Sequence, residues 1–69
     1  MKVGITGEFI KLGQFLKIQN FISTGGAAKE FIINHKITIN KKDAEGRGSK
    51  IRPGDTIWVD DQVFLIVQK

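Results

Sequence analysis

Cysteine is absent from the 69-residue chain. That excludes disulfides and thiolate metal sites, so apolar burial has to stabilise a domain of this size, and it leaves the redox compartment open. Histidine occurs once, at His35, with no carboxylate cluster at ligand spacing around it. No metal and no cofactor is therefore expected. No run approaches the roughly 20 apolar residues of a membrane span, and the start Met1 to Gly7 lacks the apolar core of a signal peptide. The sequence thus predicts a cytoplasmic protein with no membrane partner. Catalytic constellations are missing too. Ser23, Ser49 and the few carboxylates have no activating base or orienting group, which reads as a protein that is not an enzyme. The chain ends Val67-Gln68-Lys69 rather than in Gly-Gly, which sets aside a sulfur carrier of the ubiquitin-like kind.

What is present is positive charge. Lys and Arg total 11 against 7 Asp and Glu, a formal charge of +4, which favours a polyanionic partner. Aromatic residues are few, so a stacking platform for single-stranded DNA is disfavoured. Trp58 is the sole tryptophan and is read as covering a small core, with stacking on a base as the alternative.

Along the chain, Thr6 to Ile10 reads as a short edge strand. Leu12, Phe15, Leu16 and Gln19 follow the three-and-four spacing of one helical face, which predicts a first helix despite Gly13. Ser23 or Thr24 is placed to cap a second helix, in which Ala28, Phe31, Ile32 and His35 form the buried stripe and Lys29 faces outward. Lys36 to Lys42 alternates and ends in turn residues, as a strand entering a turn does. The stretch Asp43 to Lys50, DAEGRGSK, has almost no apolar side chain and reads as an exposed, mobile loop. Pro53-Gly54-Asp55 signals a turn, and Thr56 to Val59 and Val63 to Val67 make a hairpin about Asp60-Asp61-Gln62. Together these predict an α+β fold: two short N-terminal helices packed on a small, mostly antiparallel β-sheet, as one domain over residues 1–69.

The stretch STGGAAKEF, Ser23 to Phe31, carries two glycines where a helix begins. It has neither the Walker spacing nor a dinucleotide fingerprint. It does offer unpaired backbone N–H groups with no side chain at Gly25 and Gly26 to hold an anion away, and Lys29 one turn on. The alternative is that the two glycines serve only a tight helix entry or close packing on the first helix. Further basic residues gather at Lys36, Lys41, Lys42, Arg47, Lys50 and Arg52, and with Lys11 and Lys17 they can line one face.

Leu12-Gly13-Gln14-Phe15-Leu16-Lys17, Thr24-Gly25-Gly26-Ala27-Ala28-Lys29 and Gly46-Arg47-Gly48-Ser49-Lys50, in that order, resemble the S4 domain, an αL RNA-binding motif, in its short stand-alone YaaA/YbcJ-like branch. The resemblance spans nearly the whole chain. Where the wider family opens its helices with Arg-Leu-Asp and Ser-Arg, this chain has Lys11-Leu12-Gly13 and Thr24-Gly25. Lys11 keeps the charge of the first arginine without its two-pronged geometry. The resemblance implies a non-enzymatic, monomeric binder of structured RNA, ribosomal or transfer RNA, linked to ribosome assembly or translation. Taken together, the basic face, the open helix start and the resemblance give as candidate RNA-binding residues Lys11, Lys17, Thr24, Gly25, Gly26, Lys29, Lys36, Lys41, Lys42, Arg47, Lys50 and Arg52. The competing expectation is a protein-interaction module on the same scaffold, docking for example on a ribosomal protein.

Overall fold

The computed structural model describes residues 1–69. In chain order the elements are β1 (Lys2–Ile5), β2 (Ile10–Lys11), α1 (Leu12–Ile18), a 3₁₀ turn (Gly25–Ala27), α2 (Ala28–Asn34), β3 (Ile37–Ile39), β4 (Lys42–Asp43), β5 (Lys50–Ile51), β6 (Thr56–Val59) and β7 (Gln62–Gln68). The main sheet runs β1-β7-β6-β3-β4, and β2 and β5 form a separate two-stranded ribbon. Only the β1–β7 pair is parallel.

The fold is the expected α+β class with two helices on a mostly antiparallel sheet, but the helices do not open the chain. β1 and β2 precede them, and the edge strand expected over Thr6 to Ile10 is instead β1. β1 was hard to place because its only partner, β7, lies at the other end of the sequence: Lys2 sits opposite Leu65 and Ile5 opposite Gln68.

α1 forms because Leu12, Phe15 and Leu16 share one face, and all three are fully buried. Its end is set by backbone chemistry. Asn20 adopts φ 64, its N–H donates to the Lys17 carbonyl, and the Phe21 N–H donates to the Leu16 carbonyl. This is the Schellman pattern with asparagine in the left-handed position. α2 is shallower than its stripe suggested. Ala28 is buried, Phe31, Ile32 and His35 are half-buried, and Ile33 faces solvent.

Aromatic contacts tie the helices to the sheet. Phe15 meets Phe64 edge-on at 5.2 Å and Phe64 meets Phe21 at 6.0 Å. Phe21 packs on Phe31 at 5.5 Å, and Phe31 stacks on His35 at 3.9 Å. On the sheet, Ile57 and Val59 of β6 and Phe64 and Ile66 of β7 point into the core. Trp58 therefore points out, and it is 41% exposed rather than covering the core as expected.

The turns follow their residues. Arg52-Pro53-Gly54-Asp55 closes with the Asp55 N–H on the Arg52 carbonyl, and Gly54 has φ +96, the type II position that favours glycine. Asn40 bridges this turn to the β3–β4 turn. Its side chain donates to Asp55 and accepts from the Thr56 N–H, at 2.8 and 2.9 Å.

Asp60, in the β6–β7 turn, accepts from the Lys36 N–H at 3.0 Å and pairs with His35 Nδ1 at 2.7 Å. The His35 hydrogen bond first, then the Lys36 N–H and the charge of His35, hold the Asp60 carboxyl below its ordinary 3.8. Because the folded value is depressed, the stabilisation is present above about pH 3.8 and is lost as pH falls through the folded value. Thermal midpoints of the native chain should drop more steeply below that pH than those of Asp60→Asn. Parallel acid limbs for the two proteins would show that this contact does not contribute.

Candidate nucleic-acid interface

The site is organised by the loop that was expected to be mobile. Its backbone is anchored to the first turn of α1: the Leu12 N–H donates to the Ser49 carbonyl at 2.8 Å and the Gly13 N–H to the Arg47 carbonyl at 2.9 Å. These bonds satisfy helix-start donors that otherwise lack partners, and Gln14 Oε1 takes a third, the Lys11 N–H, at 3.0 Å. Gly13 makes the approach feasible. A Cβ there would lie 3.4 Å from the Arg47 Cβ, 3.5 Å from the Arg47 carbonyl oxygen and 3.8 Å from the Ala28 Cβ, so any longer side chain would push the loop and α2 off α1.

Anchored in this way, Arg47 reaches across to the Gly25 carbonyl, Nη1 to oxygen 3.4 Å. Gly26, Lys29, Glu45, Gly46 and Arg47, with Ile32 and Ile33, line a groove of about 530 Å³. The two glycines have no internal explanation. Neither adopts a positive φ. A Cβ at Gly25 would meet nothing within 4 Å, and one at Gly26 only Thr24 Oγ1 at 3.9 Å. Thr24 does not cap the turn with its side chain. The backbone here is bare and open, and no packing or tight turn within the chain requires it.

On the far side of Glu45, a second groove of about 740 Å³ is lined by Lys42, Lys50 and Arg52, together with Asn40, Ser49 and the acids Asp43, Glu45 and Asp55. Glu45 lines both grooves, so they are contiguous. The β2–β5 ribbon concentrates the charge. Ile10 pairs with Ile51 and Lys11 with Lys50, which sets two lysines directly opposite each other, an arrangement that destabilises a strand pair. Lys50 Nζ lies 4.9 Å and Arg52 Cζ 6.0 Å from the centre of the Phe9 ring. None of these three cations is in an ion pair. Phe9 gave no signal in the sequence, because its partners are reached only through the ribbon.

The structure therefore brings Lys11, Thr24, Gly25, Gly26, Lys29, Lys42, Arg47, Lys50 and Arg52 to the two joined grooves or their rims. Lys17 lies exposed in the last turn of α1 and lines neither groove. Lys36 is paired with Asp43 at 2.6 Å. Lys41 lies apart, at the tip of the β3–β4 turn. With Asn40 at φ 53 and Lys41 at φ 72, this is a two-residue turn of the kind that favours Asn-Gly. Lysine in the left-handed region costs roughly 1 kcal/mol. No three His, Asp or Glu side chains converge closely enough to hold a metal ion, and no helix is long and apolar enough to cross a membrane.

The fold and its charge define a small basic α+β module in which Lys29, Lys42, Arg47, Lys50 and Arg52 line joined grooves with none of them in an ion pair, although Asp43, Glu45 and Asp55 share those walls. The sequence profile of the S4 domain matches residues 3–67, and the chain belongs to that family. It is also similar to a Bacillus subtilis protein described as probable ribosome maturation protein RlbA, 38% identical over 58 residues that cover 84% of this chain and 82% of that protein.

Proposed function

We propose that this protein binds structured RNA, ribosomal or transfer RNA, without catalysis, and that it serves ribosome maturation or translation in the cytoplasm as a single-domain monomer. The observation that carries this reading is the anchored loop, which holds Arg47 beside Lys29 above the bare backbone of Gly25 and Gly26. A phosphate can approach that backbone closely while two cations flank it. Lys11, Lys42, Lys50 and Arg52 extend the basic surface from the first groove into the second, so recognition rests on shape and charge more than on base sequence. The S4 family and the described role of the Bacillus subtilis relative both support it.

The test is binding of labelled ribosomal and transfer RNA fragments across a salt series. Lys29→Ala and Arg47→Ala should each weaken binding and make the salt slope shallower by about one unit. Gly26→Leu should fold normally yet bind less tightly, because it fills the open backbone. Unchanged binding in all three variants would sink the reading. Partners that survive affinity capture after nuclease treatment would instead favour docking on a ribosomal protein.

A further inference from the structure

Trp58 lies outside the two grooves, on the open face of the sheet, with Thr38 of β3 and Val63 of β7 as its cross-strand neighbours. It lines a hollow of about 250 Å³ whose other residues are all polar: Asn40, Lys41 and Thr56. Asn40 also lines the groove of Lys42, Lys50 and Arg52, so the hollow, though separate from that groove, adjoins it at this residue. Its only cation, Lys41, occupies a backbone conformation that glycine would adopt without strain. The fold gains nothing from lysine at that point, and Lys41 makes neither an ion pair nor a side-chain hydrogen bond.

We infer that this hollow binds an unpaired nucleotide of the RNA, its base stacked on Trp58 and its phosphate met by Lys41. The indole, 41% exposed, leaves surface on which a base can stack, a neighbouring ammonium meets the backbone charge, and Thr56 lines the remaining wall with Asn40, whose amide is held by Asp55 and the Thr56 N–H. Val63, directly across from Trp58, and Leu65 are exposed on the same face, but neither lines the hollow, whose other walls are polar and carry the one cation, and that favours a nucleotide over an apolar protein surface. The inference rests on the RNA-binding reading, because the nucleotide enters as a continuation of the strand held in the grooves.

The chain has one tryptophan, so its emission reports the site directly. The native protein is titrated with an RNA hairpin carrying an unpaired oligouridylate tail and with the same hairpin lacking the tail. Tail-dependent quenching is expected. Trp58→Ala should bind the tailed hairpin about tenfold more weakly and the tail-less hairpin as the native chain does, while Trp58→Phe retains most of the affinity. Lys41→Gly should melt at a higher temperature yet bind the tailed hairpin more weakly. Unchanged emission, with Trp58→Ala and Lys41→Gly binding the tailed hairpin like the native chain while Arg47→Ala binds less, overturns the nucleotide site and leaves RNA binding standing. Failure of both hairpins and of ribosomal and transfer RNA fragments to bind overturns both. Trp58→Ala that keeps tailed-hairpin affinity but loses a ribosomal protein partner assigns the face to protein and also overturns it.

Discussion

Phe15→Ala should remove about half or more of the chain's stability. Phe15 is fully buried, and its ring packs edge-on with Phe64 on β7, an interior strand between β1 and β6. Phe64 in turn meets Phe21 beyond the end of α1. Truncating a buried phenylalanine costs about 3–5 kcal/mol, whereas a chain of this length has roughly 3–10 kcal/mol in total. No disulfide limits the loss. Phe15→Leu keeps much of the volume and should cost less than half as much. Urea unfolding followed by circular dichroism separates them. A midpoint for Phe15→Ala close to the native one would mean that α1 is held to the sheet by something other than this aromatic junction.

Lys50→Glu should move stability and RNA affinity in opposite directions. Lys50 stands directly across the β2–β5 ribbon from Lys11, so a carboxylate there replaces a like-charge pair with an opposite one and stabilises the ribbon by about 0.5 kcal/mol. The loss of the Lys50 contact with the exposed Phe9 ring offsets part of that gain. For RNA the same change removes a cation from the second groove and adds an anion, which should lower affinity at least about tenfold at moderate salt. Thermal melting and RNA titration of the same sample read both effects. A variant that is less stable and binds less well would show only that the ribbon was damaged. A variant more stable than the native chain that binds RNA equally well would remove the ribbon from the interface.

The sequence showed α1 and the β6–β7 hairpin clearly because the physics there is local. Leu12, Phe15 and Leu16 mark a helical face, Pro53-Gly54 fixes a turn, and Thr56 to Val59 alternates. The alternation of β6 puts Trp58 on the face opposite Ile57 and Val59, and that period, rather than the usual tendency of tryptophan to be buried, decides its exposure. β1 and the β2–β5 ribbon were not legible, since each is a few residues long and depends on a distant partner. The loop Gly46 to Ser49 was judged by its side chains, which have nothing apolar to bury. What holds it is its own carbonyls on the N–H groups of Leu12 and Gly13, and no side-chain pattern encodes that. The basic residues were visible as a composition. That Lys36 is paired and that Lys17 and Lys41 lie apart was not, because strand register decides it.

The β1–β7 pairing also bears on how the chain is made. Lys2 to Ile5 have hydrogen-bonding partners only in residues near the C-terminal end of the sequence. As the polypeptide leaves the ribosome, β1 and much of the core face wait without a neighbour until β7 has been synthesised, and only then can the sheet close between β1 and β6. Such long-range closure slows folding and lengthens the interval in which an apolar edge is exposed. Truncation within β7 should therefore cost the whole fold rather than one strand of it.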